Sequence, residues 1–313
     1  MTREVVLAIS GGVGGAKLAV GLQGILDPGA LGVIVNTGDD FEHLGLAISP
    51  DVDTTLYTLA GVANPATGWG RAQESWVFMQ ELARLGGESW FQLGDKDLAL
   101  HIERTRRLTA GETLSHITAE VAHRLGVSSH ILPMSDASVR TMLMTDEGEL
   151  AFQDYFVRRR CEPRVREIHF AGAAAAQATP AALAWLDRAD LTAIVICPSN
   201  PYLSIDPILA IAEWRRALEL ARVPVIAVSP VIGGEAVKGP TAKIMRELNL
   251  TVTNATIARH YASLIDGLLI DSADAVEAGA IGVPVHETSI LMRTGEDKER
   301  VAAETLAFAR SLA

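Results

Sequence analysis

Four aspartates crowd between residues 39 and 53: Asp39 and Asp40 in Asn36-Thr37-Gly38-Asp39-Asp40, Asp51 and Asp53 in Ser49-Pro50-Asp51-Val52-Asp53-Thr54. Asp51 and Asp53 are two apart, so in an extended segment both would project from one face. Clustered oxygens suit a hard cation, and Mg²⁺ usually binds through one or two carboxylates together with substrate phosphates. The same aspartates could instead cap helices and turns. Upstream stands a second chemically marked stretch, Ser10-Gly11-Gly12-Val13-Gly14-Gly15-Ala16-Lys17. Its glycines allow backbone conformations that side chains forbid. A helix starting there would turn its unpaired N–H groups and positive dipole end towards an anion. Phosphate is the expected occupant, and four acids beside it would repel it unless a cation intervened. The loop is neither a Walker A sequence, because Leu18 follows Lys17, nor a full dinucleotide fingerprint, because Lys17 stands where the last glycine would be.

The elements that must position these residues are legible around them. Val5-Val6-Leu7-Ala8-Ile9 reads as a strand buried on both faces. Leu18, Leu22 and Ile25/Leu26 then recur at helical spacing, and Leu31 to Asn36 reads as a second, parallel strand. The loop and the acids therefore fall at the carboxyl ends of strands, where ligands of open α/β sheets bind. Further strands are Ala193 to Cys197, ending in Pro198-Ser199-Asn200-Pro201, and Pro224 to Val228, ending in Ser229-Pro230-Val231-Ile232-Gly233-Gly234 with Lys238-Gly239-Pro240 shortly after. The first of these ends presents hydroxyls, a carboxamide and backbone N–H groups in a proline-stiffened frame, suited to a base or a phosphate. Thr141 to Phe156 reads as a hairpin, Gly267 to Asp271 and Val283 to His286 as late strands, and Glu296 to Leu312 as a closing helix.

Residues 54–127 read as an inserted helical lobe that contributes to an acceptor site, with 1–53 and 128–313 as a Rossmann-like nucleotide-binding core. The expected fold is α/β, a mostly parallel sheet with helices on both faces. Within the lobe, Trp69, Trp76 and Trp90 could form a core or a platform for a flat ring. Asp97, His101 and Arg104 share a helical face, as a solvated ion-paired face would, while Lys96 is placed in the preceding loop. The run Arg158-Arg159-Arg160 is the concentrated basic patch, read as a solvated edge.

Composition bounds the function. The 313 residues are 49% hydrophobic with a formal net charge of -11, ample for a core and contrary to a nucleic-acid-binding surface. Cys161 and Cys197 make neither a disulfide framework nor a zinc knuckle. With no signal-peptide pattern and no bilayer-length apolar run, a cytoplasmic protein binding small molecules is expected.

Taken in order, the glycine loop, Asn36 to Asp40, Ser49 to Thr54, Gly94-Asp95-Lys96-Asp97 with His101 and Arg104, Leu132 to Asp136, Phe152-Gln153-Asp154, Pro198 to Pro201, Ser204 to Ile208 and Ser229 to Gly234 resemble the 2-phospho-L-lactate transferase family, called CofD or FbiA. The resemblance implies a metal-dependent transferase of deazaflavin coenzyme F-420 biosynthesis. It moves a phospholactyl, phosphoenolpyruvyl or phosphoglyceryl group from a guanosine-diphosphate-linked donor to the ribityl hydroxyl of the deazaflavin Fo, releasing GMP. It implies Mg²⁺ on Asp39 and Asp53, assisted by Asp40 or Asp51; phosphate on Gly12, Val13, Gly14 and Gly15, with Lys17 beside them; guanosine on Ser199, Asn200 and Ser204; Fo on Asp53 and Lys96; and a homodimer. Many relatives carry arginine where Lys96 stands, which replaces a bidentate donor by a point charge. The rival is a regulatory nucleotide-sugar-binding protein of the gluconeogenesis-factor type, which shares the loop and the fold but would not need Asp51 and Asp53 together with the lobe motif. A dehydrogenase would place an acid where Asn36 ends the second strand.

Overall fold

The computed structural model describes residues 4–237 and 239–313, so Lys238 lies outside it. In chain order the elements are β1 (Val5–Ser10), α1 (Gly12–Ile25), β2 (Leu31–Val35), β3 (Phe41–His43), β4 (Leu46–Ile48), α2 (Pro50–Leu59), α3 (Val77–Arg84), α4 (Asp95–Thr109) and α5 (Leu114–Arg124). They continue as β5 (His130–Pro133), β6 (Arg140–Thr145), β7 (Gly148–Ala151), β8 (Val165–Ala171), α6 (Pro180–Leu186), β9 (Leu191–Ile196), α7 (Asp206–Leu209), α8 (Ala212–Glu219) and β10 (Val225–Val228). The last are β11 (Val231–Ile232), β12 (Glu235–Ala236), α9 (Thr241–Glu247), α10 (Asn254–Tyr261), β13 (Gly267–Asp271), β14 (Val285–Thr288) and α11 (Gly295–Leu312).

Seven strands form one parallel sheet in the order β14-β13-β10-β9-β1-β2-β5. The apolar run of β1 is buried throughout because it feeds two cores. Val5, Leu7 and Ile9 face one, with Trp214 of α8 and Ile257 of α10; Val6 and Ala8 face the other, with Leu18 of α1, Leu56 of α2 and Leu306 of α11. Helices therefore cover both faces, as a fully parallel sheet requires. A separate antiparallel sheet, β7-β6-β8, carries the expected hairpin and packs Leu143 and Val165 into the first core.

The sheet also fixes where a ligand can go. From β1 the chain proceeds outward through β2 and β5, then returns to build β9, β10, β13 and β14 on the other side, so the winding reverses between β1 and β9. The crevice between two such loops is the usual ligand site of a doubly wound sheet.

The division at residues 53 and 54 falls inside α2, whose Val52, Leu56 and Leu59 pack with β1 and α1. Ala122 of α5 joins the same core. Between them, α3, α4 and the β3–β4 hairpin stand over a small core of Ile48, Met79 and Leu93. Among the described residues no helix is long and apolar enough to cross a membrane.

Candidate active site

The loops after β1 and β9 meet at the winding reversal. Gly11 N–H donates to Ser199 Oγ at 3.1 Å, and a side-chain carbon on Gly14 would lie 2.3 Å from the carbonyl oxygen of Pro198. Only glycine permits that approach. Gly12 begins α1 at φ +65°, the left-handed region. The helix carries no acid in its own first turn, and the Asp51 carboxyl, from α2, accepts from the Gly12 N–H at its positive end. Gly15 plays another part: a side-chain carbon there would meet the hydroxyls of Ser10 and Ser199, so its role is close packing of helix on strand.

A cleft of about 410 Å³ opens over this junction, lined by Gly11, Gly12, Val13, Gly14 and Lys17, by Ser199, Asn200 and Ser204, and by Asp39, Asp51 and Asp53. Lys17 donates to the Met292 carbonyl at 3.0 Å. Asn200 caps the turn that follows it, accepting from the N–H groups of Tyr202 and Leu203, and its buried Nδ2 has no partner.

The four acids are all buried. Asn36 Nδ2 is shared between Asp39 Oδ1 at 3.3 Å and Asp51 Oδ2 at 3.0 Å, while Asp51 also accepts from the Gly12 N–H. Burial first, then the charges of Asp51 and Asp40, pushes the Asp39 carboxyl well above the ordinary carboxylate range. Asp40 accepts from Ser49 at 2.8 Å, leaves its other oxygen without a partner, and is pushed up by burial to about 8. It lies behind the cleft wall. Burial also raises Asp51 to about 6, against its bonds from Asn36 and Gly12.

Asp53 differs from the other three because it has a counter-ion. Arg104 of α4 grips both its oxygens, Nη1 reaching Oδ2 at 3.0 Å and Nη2 reaching Oδ1. His101 Nδ1 lies 3.7 Å from Asp53 Oδ2, and His101 Nε2 lies 3.3 Å from Asp97 Oδ1, which also accepts from Tyr57 OH at 2.5 Å. Burial opposes the charge on Asp97, but the His101 and Tyr57 bonds outweigh it and hold the carboxyl below its ordinary range. The i, i+4, i+7 spacing of Asp97, His101 and Arg104 is thus a buried face turned onto α2, where the sequence had equally allowed a solvated one. Tyr57, which completes the group, carries no local signal.

One wall of the cleft is aromatic. Trp69, Trp90 and Phe91 come from the lobe, Phe152 and Phe156 from the segment after β7. The two phenylalanine rings stack at 5.3 Å and 15°, and the Arg158 guanidinium lies 4.3 Å over the Trp90 ring. Arg158 is therefore spoken for by Trp90, Glu88 and Asp154, and Arg159 by Glu147. Of the three lobe tryptophans, Trp69 and Trp90 face the cleft and Trp76 lines a small side pocket.

Lys96 is placed differently from its sequence reading. It lies in the first turn of α4, exposed, its amine 3.5 Å from the Ala72 carbonyl, and it is not part of the cleft lining. Glu74 caps the start of α4, its carboxylate accepting from the backbone N–H groups of Lys96 and Asp97. Ile290, Leu291 and Met292, which close the cleft after β14, had no signal in the sequence.

The acids fit a divalent cation. Asp39 and Asp51, which both line the cleft, share one neutral donor. Carboxylate oxygens are the ligands that hard divalent cations take. Asp39 and Asp51 share the Asn36 amide, and Asp53 is paired with Arg104. Asp53, Asp97 and His101 bring one ligand atom each within 4.8 Å of one another, but the guanidinium on Asp53 already supplies the positive charge there.

Comparison with known proteins agrees with this geometry. Residues 6–304 match the family model of 2-phospho-L-lactate transferase CofD. The chain is 38% identical to a phosphoenolpyruvate transferase of Streptomyces griseus over 98% of its length and 99% of the relative's. It is 40% identical to a 2-phospho-L-lactate transferase of Methanopyrus kandleri over 97% of both. A UPF0052-family protein of Bacillus halodurans shares the fold, with a TM-score of 0.64 at 14% identity over 98% of this chain and 99% of that one. With its glycine loop, acid set and lobe all inside the matched span, the chain belongs to the CofD family and is a phospho-group transferase of that kind.

Proposed function

We propose that the chain transfers a phospho-acid from a guanosine-diphosphate-linked donor to the ribityl hydroxyl of Fo, releasing GMP, as a cytoplasmic, Mg²⁺-dependent homodimer of coenzyme F-420 biosynthesis. The observation that carries this reading is a single cleft in which a helix N-terminus, a set of buried acids and an aromatic wall face one another. The acceptor hydroxyl oxygen attacks the phosphorus that bears the organic acid. The bond from that phosphorus to the bridging oxygen breaks, and GMP leaves with the electron pair. The hydroxyl proton passes by way of the Asp53 carboxylate to solvent water.

Val13 and Gly14 bind the donor phosphates through backbone N–H groups at the start of α1, the N–H groups of Gly11 and Gly12 being held by Ser199 and Asp51, and Lys17 adds a cation beside them. Ser199, Asn200 and Ser204 hold the guanosine end, where the orphaned Asn200 amide supplies a donor. Asp53, fixed by Arg104, accepts a hydrogen bond from the acceptor hydroxyl and holds it for in-line attack. Trp69, Trp90, Phe152 and Phe156 stack on the flat deazaflavin ring. Asp39 and Asp51 would hold Mg²⁺, which supplies neutralisation of charge on the pyrophosphate when bound.

The relatives named for phosphoenolpyruvate and for 2-phospho-L-lactate are about equally similar to this chain, so both acids, with phosphoglycerate, are donor candidates. The test is incubation of the purified protein with Fo, Mg²⁺ and each guanylyl donor, with products identified by mass. GMP and a phospho-acid ester of Fo are expected with at least one donor. Their absence with all three overturns the proposal.

A further inference from the structure

Arg104 is among the largest fully buried side chains of the protein, yet it lines no part of the cleft. We propose that Arg104 is a positioning residue of the transfer reaction: its guanidinium fork sets the plane of Asp53 and so aims that carboxylate at the acceptor hydroxyl. The inference rests on the acceptor-side role given to Asp53 above.

The geometry is that of a fork on a fork. Nη1 and Nη2 each take one oxygen of Asp53, so the carboxylate can neither rotate about its terminal bond nor slide along its partner. The guanidinium is itself held from two sides. Nη1 lies 3.4 Å from the carbonyl of Ala47, in the middle of β4, and 3.5 Å from His101 Nδ1. The other ring nitrogen, Nε2, faces Asp97 Oδ1 at 3.3 Å. Tyr57, donating to that same Asp97 oxygen, completes the chain. Five side chains thus lock one another between α2, which belongs to the sheet core, and α4, which belongs to the lobe.

A contact made only for stability would not need this form. The cleft face of Asp53 stays available while its other side is clamped, and the clamp reaches Asp53 from an element that also carries the aromatic wall's lobe. A lysine could neutralise the charge but could not fix the plane, since an ammonium is a point donor.

The test uses Arg104→Lys and Arg104→Gly, with folding checked by circular dichroism and thermal melting. Arg104→Lys is expected to lower kcat by about 10- to 100-fold and raise the KM for Fo, leaving the donor KM within about twofold. Arg104→Gly is expected to lose more and to recover several-fold with added guanidinium chloride, but not with equal sodium chloride. If Arg104→Gly does not fold, Arg104→Lys alone decides. A folded Arg104→Lys with wild-type kcat overturns the inference, as does a folded Arg104→Gly that guanidinium leaves unchanged. A wild-type protein that transfers nothing to Fo overturns the functional reading instead. The inference is then judged from the crystal structure of Arg104→Lys, where an Asp53 carboxylate still in its present plane refutes it.

Discussion

The side-chain amide of Asn36 donates through one nitrogen to both Asp39, at 3.3 Å, and Asp51, at 3.0 Å, while its oxygen accepts from the Gly38 N–H at 2.7 Å. One neutral group therefore ties the end of β2 to the start of α2 and moderates two buried charges. It cannot neutralise them. Replacing Asn36 by alanine leaves both carboxylates short of a donor, a change that costs on the order of 1–3 kcal/mol. Urea unfolding in EDTA should show that loss, and added Mg²⁺ should recover part of it. Unaltered stability in EDTA would mean that the shared amide carries no strain of this kind.

Stability should also depend on pH in the metal-free protein, with a sign opposite to that of ordinary ion-paired carboxylates. Burial raises Asp40 to about 8 and Asp51 to about 6, so the folded state holds these protons more tightly than the unfolded chain, where an aspartate titrates near about 4. The stability they lend is complete below that value and is lost as the pH climbs towards 8. In EDTA the melting temperature should therefore fall between pH 5 and pH 8. Asp40→Asn, which cannot ionise, should flatten the decline. Equal slopes in the variant and the wild type would contradict the assignment.

Two glycines with different surroundings separate close approach from backbone strain. At Gly14 a side-chain carbon would press on the Pro198 carbonyl at 2.3 Å, forcing apart the loops of β1 and β9. At Gly45, in the β3–β4 turn, φ is +71° but nothing lies within 4 Å. Gly45→Ala should cost about 1–2 kcal/mol of stability and leave turnover intact. Gly14→Ala should abolish turnover even if the chain folds, because it displaces the phosphate end of α1. A Gly14→Ala enzyme with normal turnover would remove the loop from the donor site.

The sequence made the sheet, the glycine turn after β1 and the acid cluster legible because each depends on local signals: an unbroken β-forming run, glycines that exclude side chains, and acids within a few residues of a strand end. It did not distinguish among the acids. Asp53 differs from Asp39 only through Arg104, which is 51 residues away and reached by the packing of α4 on α2. The same distance hid Tyr57 and left Asp97, His101 and Arg104 readable either as a wet face or as a buried one. Lys96 shows the converse, since a residue one position from Asp97 points elsewhere on the helix, to the Ala72 carbonyl. The aromatic wall is assembled from the lobe and the β6–β7 hairpin's exit, so no single stretch announces it.

That split between a loop side and an aromatic side can be tested as a mirrored pair of variants. Among the described residues Lys17 is the one lysine that lines the cleft, beside the start of α1. Trp90 stands on the aromatic side under Arg158. If donor and acceptor occupy opposite ends, Lys17→Met should raise the donor KM by about tenfold, roughly 1.4 kcal/mol, and leave the Fo KM nearly unchanged. Trp90→Ala should do the reverse, because a lost stacking face weakens a flat ligand by about 0.5–1.5 kcal/mol beyond its buried area. Arg158 would then lose its ring partner as well, so Arg158→Gln is the control that keeps Trp90 while removing the cation above it. Steady-state kinetics with each substrate varied in turn separates the cases. Variants that shift both KM values together would place donor and acceptor in one undivided subsite, against the two-ended cleft argued from α1 and the aromatic wall.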